Sequence, residues 1–310
     1  MKVVVTGGAG FIGSNLCEAL AADPVITEVV ALDDLSNGFA ENLVGIDAEL
    51  VVGSILDAEA LDQVCDGAAA IVHLAARGSV PKSVKNPVKT HERNATGTLM
   101  VMEAARRHGG LHTVVASSSS VYGATPDLPK HEDLPTRPMS PYAVSKVATE
   151  WYALAYQHSY DLPSLVFRFF NVYGPRQPAG HAYAAVIPAW ISAAMTGETL
   201  RVNGDGKQSR DFTYVDTVTW TLVEAVKRRV VNDIPVNLAF GGGTTLLDLI
   251  AQLEDVFDRP LPVEHAEPRP GDIRHSTADP SRLFELFPDV QPIDFDEGLA
   301  KTLAWWQDQA

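Results

Sequence analysis

The stretch Lys2-Val3-Val4-Val5-Thr6-Gly7-Gly8-Ala9-Gly10-Phe11-Ile12-Gly13 decides the fold. Lys2 to Thr6 reads as a short buried parallel strand. Phe11 to Ala21 reads as an amphipathic helix. The glycines between them therefore form a turn that ends at a helix N-terminus. Free backbone N–H groups and the helix dipole make that place suit a pyrophosphate. Gly7 allows the tight turn, Gly10 the close approach of phosphate, and Gly13 the packing of helix on sheet. A second strand, Glu28-Val29-Val30-Ala31-Leu32, ends at Asp33. That acid stands about twenty residues past the glycines, as the motif needs for a ribose diol. No arginine stands beside Asp33 in the sequence, and Asp34 follows it. Two acids repel a 2′-phosphate, which favours NAD over NADP.

A chain of 310 residues predicts about two domains. Its 46 % hydrophobic content allows a large core. A net charge of −15 makes nucleic acid or an anionic membrane surface a poor partner. No window is apolar enough for a membrane span, and no leader segment is read at the N-terminus. Cys17 and Cys65 fall in predicted helices without metal-ligand spacing. They read as buried thiols in a reducing cytoplasm. The nine histidines show no paired spacing of a metal site, so no metal is expected.

Strands and helices alternate through the first half. Further strands are predicted at Glu49–Gly53, Ala69–His73, Leu111–Ala116 and Ser164–Arg168. The longest helices are predicted at Val88–His108 and Pro141–Ser159. This pattern predicts an α/β fold with a doubly wound parallel sheet. Proline and glycine become frequent near Asn171. Arg201-Val202-Asn203-Gly204-Asp205-Gly206 reads as a strand entering a tight turn. Pro235–Ala239 reads as a strand that returns to the main sheet. The expected division is 1–171 plus about 215–240 for the dinucleotide, and about 172–214 plus 241–310 for a smaller, discontinuous substrate domain.

Ser140-Pro141-Tyr142-Ala143-Val144-Ser145-Lys146 carries the chemistry. Ser140 is a good N-cap and Pro141 a favoured first helical residue. Tyr142 and Lys146 are then i and i+4 on one helix face. A nearby ammonium stabilises a phenolate and lowers the tyrosine pKa. A tyrosine so tuned can take a proton from a sugar hydroxyl and return it. Upstream, Ser117-Ser118-Ser119-Ser120 follows a strand, at the end of the sheet where ligands bind. These hydroxyls are either loop caps or a cradle for a substrate oxygen.

The Gly-x-x-Gly-x-x-Gly spacing resembles the short-chain dehydrogenase/reductase superfamily. The whole set resembles its extended branch, and within it the UDP-hexose 4-epimerases. The set includes His73-Leu74-Ala75-Ala76, Asn94-Ala95-Thr96-Gly97-Thr98, the serine run, Tyr142 with Lys146, and Arg168 to Gly174. It continues with Asn203 to Gly206, Arg210-Asp211-Phe212 and Arg269-Pro270-Gly271-Asp272. The resemblance implies a Rossmann-type fold, bound NAD, a UDP-sugar substrate and a homodimer. It makes Ser118, Tyr142 and Lys146 catalytic. It implies NAD contacts at Gly7, Gly10, Phe11, Ile12, Gly13, Asp33, Asp34, Ser54, Ile55, Leu74, Ala75, Ala76, Asn94, Tyr142, Lys146 and Phe169. It implies substrate contacts at Gly78, Ser79, Ser118, Ser119, Tyr142, Asn171, Ala185, Val186, Arg210, Arg269, Asp272 and Ser276. Arginines suit the diphosphate because a guanidinium meets its oxygens in a fork.

Within this family, dehydratases and decarboxylases carry acids just after the catalytic hydroxyl. Here Ser119 and Ser120 stand there, and a hydroxyl cannot do a carboxylate's acid–base work. The resemblance then implies epimerisation at C4 through a 4-keto sugar, with Tyr142 as the acid/base. Two departures matter. Ser54 replaces an acid common near the adenine, and Gly78 replaces a lysine that galactose-type enzymes carry near the phosphates. Gly78 and Tyr183 to Pro188 resemble the subgroup acting on N-acetylhexosamines. Ser276 falls where a tyrosine in relatives excludes an N-acetyl group, which implies room for one. A UDP-glucuronate 4-epimerase stays open, with Arg77, Arg176 or Arg274 available for a carboxylate. From another class, a non-catalytic NAD-binding sensor stays open too. The apolar set Ala143, Val147, Trp151, Leu154 and Ala155 has helical period and could serve a dimer interface or the core.

Overall fold

A computed structural model describes residues 1–179, 185–267 and 274–309. Seven strands form the main sheet: β1 (Lys2–Thr6), β2 (Glu28–Asp33), β3 (Glu49–Val52), β4 (Ala70–His73), β5 (His112–Ser118), β6 (Ser164–Phe169) and β7 (Val236–Leu238). Their order is β7-β6-β5-β4-β1-β2-β3, and every pair is parallel. The order reverses between β1 and β4, the switch point at which open α/β sheets bind ligands. Strand β7 does return to the main sheet, pairing with β6, as its sequence predicts.

Val3, Val4 and Val5 have no exposed surface, because the sheet is covered on both faces. Side chains alternate across it. Val3, Val5, Val72 and Val114 join one cluster with helix α1 (Phe11–Ala21). Val4, Ile71, Val115 and Val166 join another with helices α2 (Ala58–Cys65), α5 (Gly97–Arg107) and α6 (Pro141–Tyr160). Each such side chain stabilises by about 1.5–3 kcal/mol relative to exposure. Cys17 and Cys65 are free thiols inside these clusters. A separate cluster after β6 gathers Tyr173, Trp190, Ile191, Tyr214, Leu249 and Leu299.

The long helix expected over Val88–His108 is three pieces. Helix α4 (Pro87–His91) follows α3 (Val80–Lys85), and a π turn (Glu92–Thr96) leads into α5. In that wide turn the Asn94 carbonyl stays in the helix while its side chain bonds neighbouring elements. Helix α6 starts as its sequence predicts. Ser140 Oγ accepts the Ala143 N–H at 3.1 Å, and Pro141 fills the first turn. It ends at Asp161, which takes the left-handed conformation at φ 52°.

Two buried histidines tie acid stability to the core. His73 closes β4 and faces the Thr6 hydroxyl at 2.7 Å and the Thr98 hydroxyl at 3.1 Å. Burial, helped by the Lys146 charge, pushes its pKa down to about 3. Burial lowers that of His112 as well. Both rings fold neutral, whereas the unfolded rings take a proton near pH 6.5. The unfolded state thus binds more protons below that pH, and stability falls as pH falls, by up to about 1.4 kcal/mol per unit for each ring. Asp211, pushed up to about 6 by burial, acts in the opposite sense. Urea unfolding should show a lower midpoint at pH 5.5 than at pH 7.5. His73→Gln should shrink that difference, and a pH-independent midpoint would refute the account.

Candidate active site

The glycine turn after β1 closes on itself. Gly7 has φ +74°, and a Cβ there would lie 2.8 Å from the Ala75 nitrogen. A Cβ on Gly13 would lie 2.0 Å from the Gly7 oxygen. Gly10 caps α1 without a side-chain hydrogen bond, so the first N–H groups of the helix face outward. The turn, the end of β2 and the Leu74–Ala76 segment after β4 line one cleft of about 750 Å³. Asp33 is buried at its rim. Its Oδ2 accepts the Ala9 N–H at 3.1 Å and its Oδ1 the Leu35 N–H at 2.8 Å. A glycine cradle, outward N–H groups and a fixed carboxylate at the end of β2 together fit a dinucleotide.

The same cleft reaches the ends of β5, β6 and α6. Ser118, Ser119, Tyr142, Lys146, Phe169 and Asn171 all line it. Strand alternation splits the serine run. Ser117 turns to the core and donates to Glu150 Oε1 at 2.7 Å, while Ser118 faces Tyr142. Ser118 also accepts the Ser120 N–H at 3.2 Å, so it is both cap and cleft hydroxyl. Lys146, 5 % exposed, donates to the Ala116 carbonyl at 2.8 Å. Burial lowers its pKa to about 8 against the raising charge of Glu150. The lowering of the Tyr142 pKa expected from Lys146 does not appear. Desolvation raises it, and the Ser118 hydrogen bond opposes that rise. The ammonium is spent on the Ala116 carbonyl instead.

Of the other expected contacts, Phe11, Ile12, Asp34, Ile55, Gly78 and Ser79 also line the cleft. Asn94 does not. It is 1 % exposed, accepts the Arg77 N–H at 2.7 Å and donates to Ser145 Oγ at 2.9 Å. It braces α6 against the loop after β4. Ser54 also stands off the lining and accepts the Leu56 N–H at 3.1 Å. Ala185 caps the helix Val186–Thr196, and neither Ala185 nor Val186 lines the described cleft. Arg210 and Ser276 lie on adjacent short strands, Ser209–Arg210 and His275–Ser276. The Asp211 N–H bonds the Ser276 oxygen at 2.9 Å, and Asn171 Nδ2 donates to the Asp211 oxygen at 3.1 Å. Arg269, Asp272 and Tyr183 lie outside the described residues.

Two groups escaped the sequence reading. The first is Glu150 with Arg168. They form a buried two-pronged ion pair at 2.8 Å for each arm, directly behind the serines. The second corrects the reading of Asp34. No arginine neighbours it in sequence, but the fold brings Arg93 into an ion pair with it. Its signal was out of reach because the partners are 59 residues apart.

A parallel sheet wound both ways from a glycine turn, with Tyr142, Lys146 and Ser118 at the same cleft, defines a dinucleotide-dependent enzyme of the α/β class. Residues 3–239 match the NAD dependent epimerase/dehydratase family, and the chain belongs to that family. Its cofactor is NAD. The chain is 37 % identical to the UDP-glucose 4-epimerase of Mycolicibacterium smegmatis, with all of both chains covered. It matches the UDP-N-acetylglucosamine 4-epimerase of Methanobrevibacter ruminantium, solved with UDP-N-acetylmuramic acid, at TM-score 0.93 and 36 % identity. That match covers 100 % of this chain and 99 % of the other. It also matches the Thermus thermophilus UDP-glucose 4-epimerase, solved with NAD, at TM-score 0.90 and 32 % identity over all of both chains.

Proposed function

We propose that the protein interconverts a UDP-hexose and its C4 epimer. The carrying observation is the acid content of the cleft. Among the described residues, Asp33 and Asp34 are its lining carboxylates, and both sit at the end of β2. No lining carboxylate stands beside Tyr142, where an elimination would need one. The hydroxyls present suit proton exchange at a single oxygen. Tyr142 takes the proton of the sugar 4-hydroxyl and returns it, and Ser118 hydrogen-bonds the reacting oxygen. Lys146 places its ammonium on the wall of the same cleft. Gly7 to Gly13, Asp33 and Leu74 to Ala76 would hold NAD, which would supply the acceptor and donor of the C4 hydride.

Asn171, Arg210 and Arg269 would hold the diphosphate. Ser276, on the strand beside Arg210, would leave room for an acetamide, so the range would include the glucose/galactose and N-acetylhexosamine pairs. In this reading the segments 172–214 and 241–310 form the sugar-binding domain. The expected dimer would use the segments read as long helices, Val88–His108 and Pro141–Ser159, which leave Val88, Val144 and Trp151 exposed. Of the apolar set left open between interface and core, Ala143 is 1 % exposed and belongs to the core.

A uronate substrate is a second reading, and Arg77 favours it. Arg77 lines the cleft, and its buried Nε has no hydrogen-bond partner among the described residues. The other two candidate arginines are engaged. Arg176 pairs with Glu18 at 2.7 Å and Arg274 with Asp205 at 2.8 Å. One experiment tests both readings. The purified protein should carry NAD(H) and, without added cofactor, equilibrate one or more pairs from a panel of UDP-glucose, UDP-N-acetylglucosamine and UDP-glucuronate. Stoichiometric demand for NADH with formation of a reduced sugar would make it a reductase.

A further inference from the structure

The carboxyl end of β2 is acidic in sequence but not in space. Arg93, from the π turn after α4, pairs with Asp34 and reaches Ser36 Oγ at 3.3 Å. Lys82 on α3 donates to Asn37 Oδ1 at 3.2 Å. Lys82, Lys89 and Arg93 all line the cleft together with Asp33, Asp34, Ser36 and Asn37. Three cations therefore share this wall with two carboxylates. Asp33 differs from Asp34 in its partners. Both its oxygens accept main-chain N–H groups, and no cation pairs with it among the described residues.

In Rossmann-type sites an acid at this strand end meets the ribose 2′-hydroxyl, and an arginine nearby accommodates a 2′-phosphate. This chain has both devices. Arg93 already neutralises Asp34, so Asp34 contributes little repulsion. We propose that exclusion of a 2′-phosphate rests on Asp33 alone, and that Arg93, with Lys82 and Lys89 on the same wall, is a latent 2′-phosphate site. A guanidinium forks onto phosphate oxygens, and two ammonium groups add charge without demanding geometry. The rival account makes Arg93 a brace for the Asp34 turn and nothing more.

The test reads binding, not turnover. Adenosine 2′,5′-bisphosphate and adenosine 5′-monophosphate differ only in the 2′-phosphate. Both are titrated calorimetrically into nucleotide-stripped protein that keeps its circular dichroism spectrum. The wild type should bind the bisphosphate more weakly than the monophosphate. Asp33→Asn removes the charge and keeps one of the two oxygen acceptors, so one of the Ala9 and Leu35 N–H groups loses its partner. It should tighten the bisphosphate by about ten-fold or more, because one uncompensated charge at contact distance is worth at least that much. Arg93→Ala added to Asp33→Asn should reverse the gain. The gain should also shrink as salt is raised. If Asp33→Asn fails to fold, Arg93→Ala alone decides. It exposes the Asp34 charge and should weaken the bisphosphate selectively, leaving the monophosphate within a few-fold. A gain that survives Arg93→Ala, an Asp33→Asn protein that still rejects the bisphosphate, or an Arg93→Ala protein that weakens both ligands equally would overturn the proposal.

Discussion

Tyr142→Phe should lower kcat/KM for the preferred UDP-sugar by about 10²–10⁴-fold, the usual worth of a positioned proton donor and acceptor. The ring is kept, so its packing at the start of α6 survives. Only the phenol oxygen is lost, and with it the partner of Ser118. Bound NAD and the unfolding midpoint should match the wild type. Burial raises the Tyr142 pKa in this structure and the Lys146 ammonium bonds Ala116, so work as a base calls for the positive charge of bound NAD to favour the phenolate. Activity within a few-fold of wild type, with normal cofactor content, would remove Tyr142 from the mechanism. Loss of NAD from the variant would instead give the tyrosine a binding role.

Arg168→Met should produce the largest loss of stability. Glu150 and Arg168 are 2 % and 4 % exposed, and each guanidinium arm meets a carboxylate oxygen at 2.8 Å. The variant leaves the carboxylate buried without its cation, which typically costs about 3–5 kcal/mol. That is a large part of the about 5–15 kcal/mol that keeps a domain folded. The Arg168 guanidinium also lies 4.8 Å from the centre of the Tyr122 ring, a contact the methionine only partly replaces. Pairing the change with Glu150→Gln removes the stranded charge and should recover much of the loss. Urea denaturation of the two single variants and the double variant measures this directly. A single variant within about 1 kcal/mol of wild type would show that water or a shifted side chain relieves the carboxylate.

What the sequence made legible was local. Strand, glycine turn and helix are contiguous from Lys2 to Ala21. Tyr142 and Lys146 share one helix whose cap is written at Ser140 and Pro141. The alternation of strands and helices carried the parallel sheet, including the return of β7. What stayed hidden depends on contacts between distant segments. Asp34 meets Arg93, and Ser117 meets Glu150, only after the chain has folded. The π turn at Asn94 was hidden for another reason. Its apolar spacing passes for ordinary helix, and the bonds to Arg77 and Ser145 that hold it open are tertiary. The short strands around Arg210 and Ser276 are two residues long and carry no period to read.

The position of β7 bears on how the chain matures during synthesis. Its partner β6 contains Leu165, Val166 and Phe167, none of them exposed in the finished protein. Val236 and Leu238 cover that strand's outer side, yet they lie some way down the chain from it. A nascent polypeptide that has emerged only as far as β6 presents an apolar strand with open backbone donors and acceptors. Such an edge invites pairing with another chain. A fragment ending near residue 171 should therefore aggregate, although it contains every element of the glycine cradle. That edge is closed only once Val236 to Leu238 has emerged and paired with it.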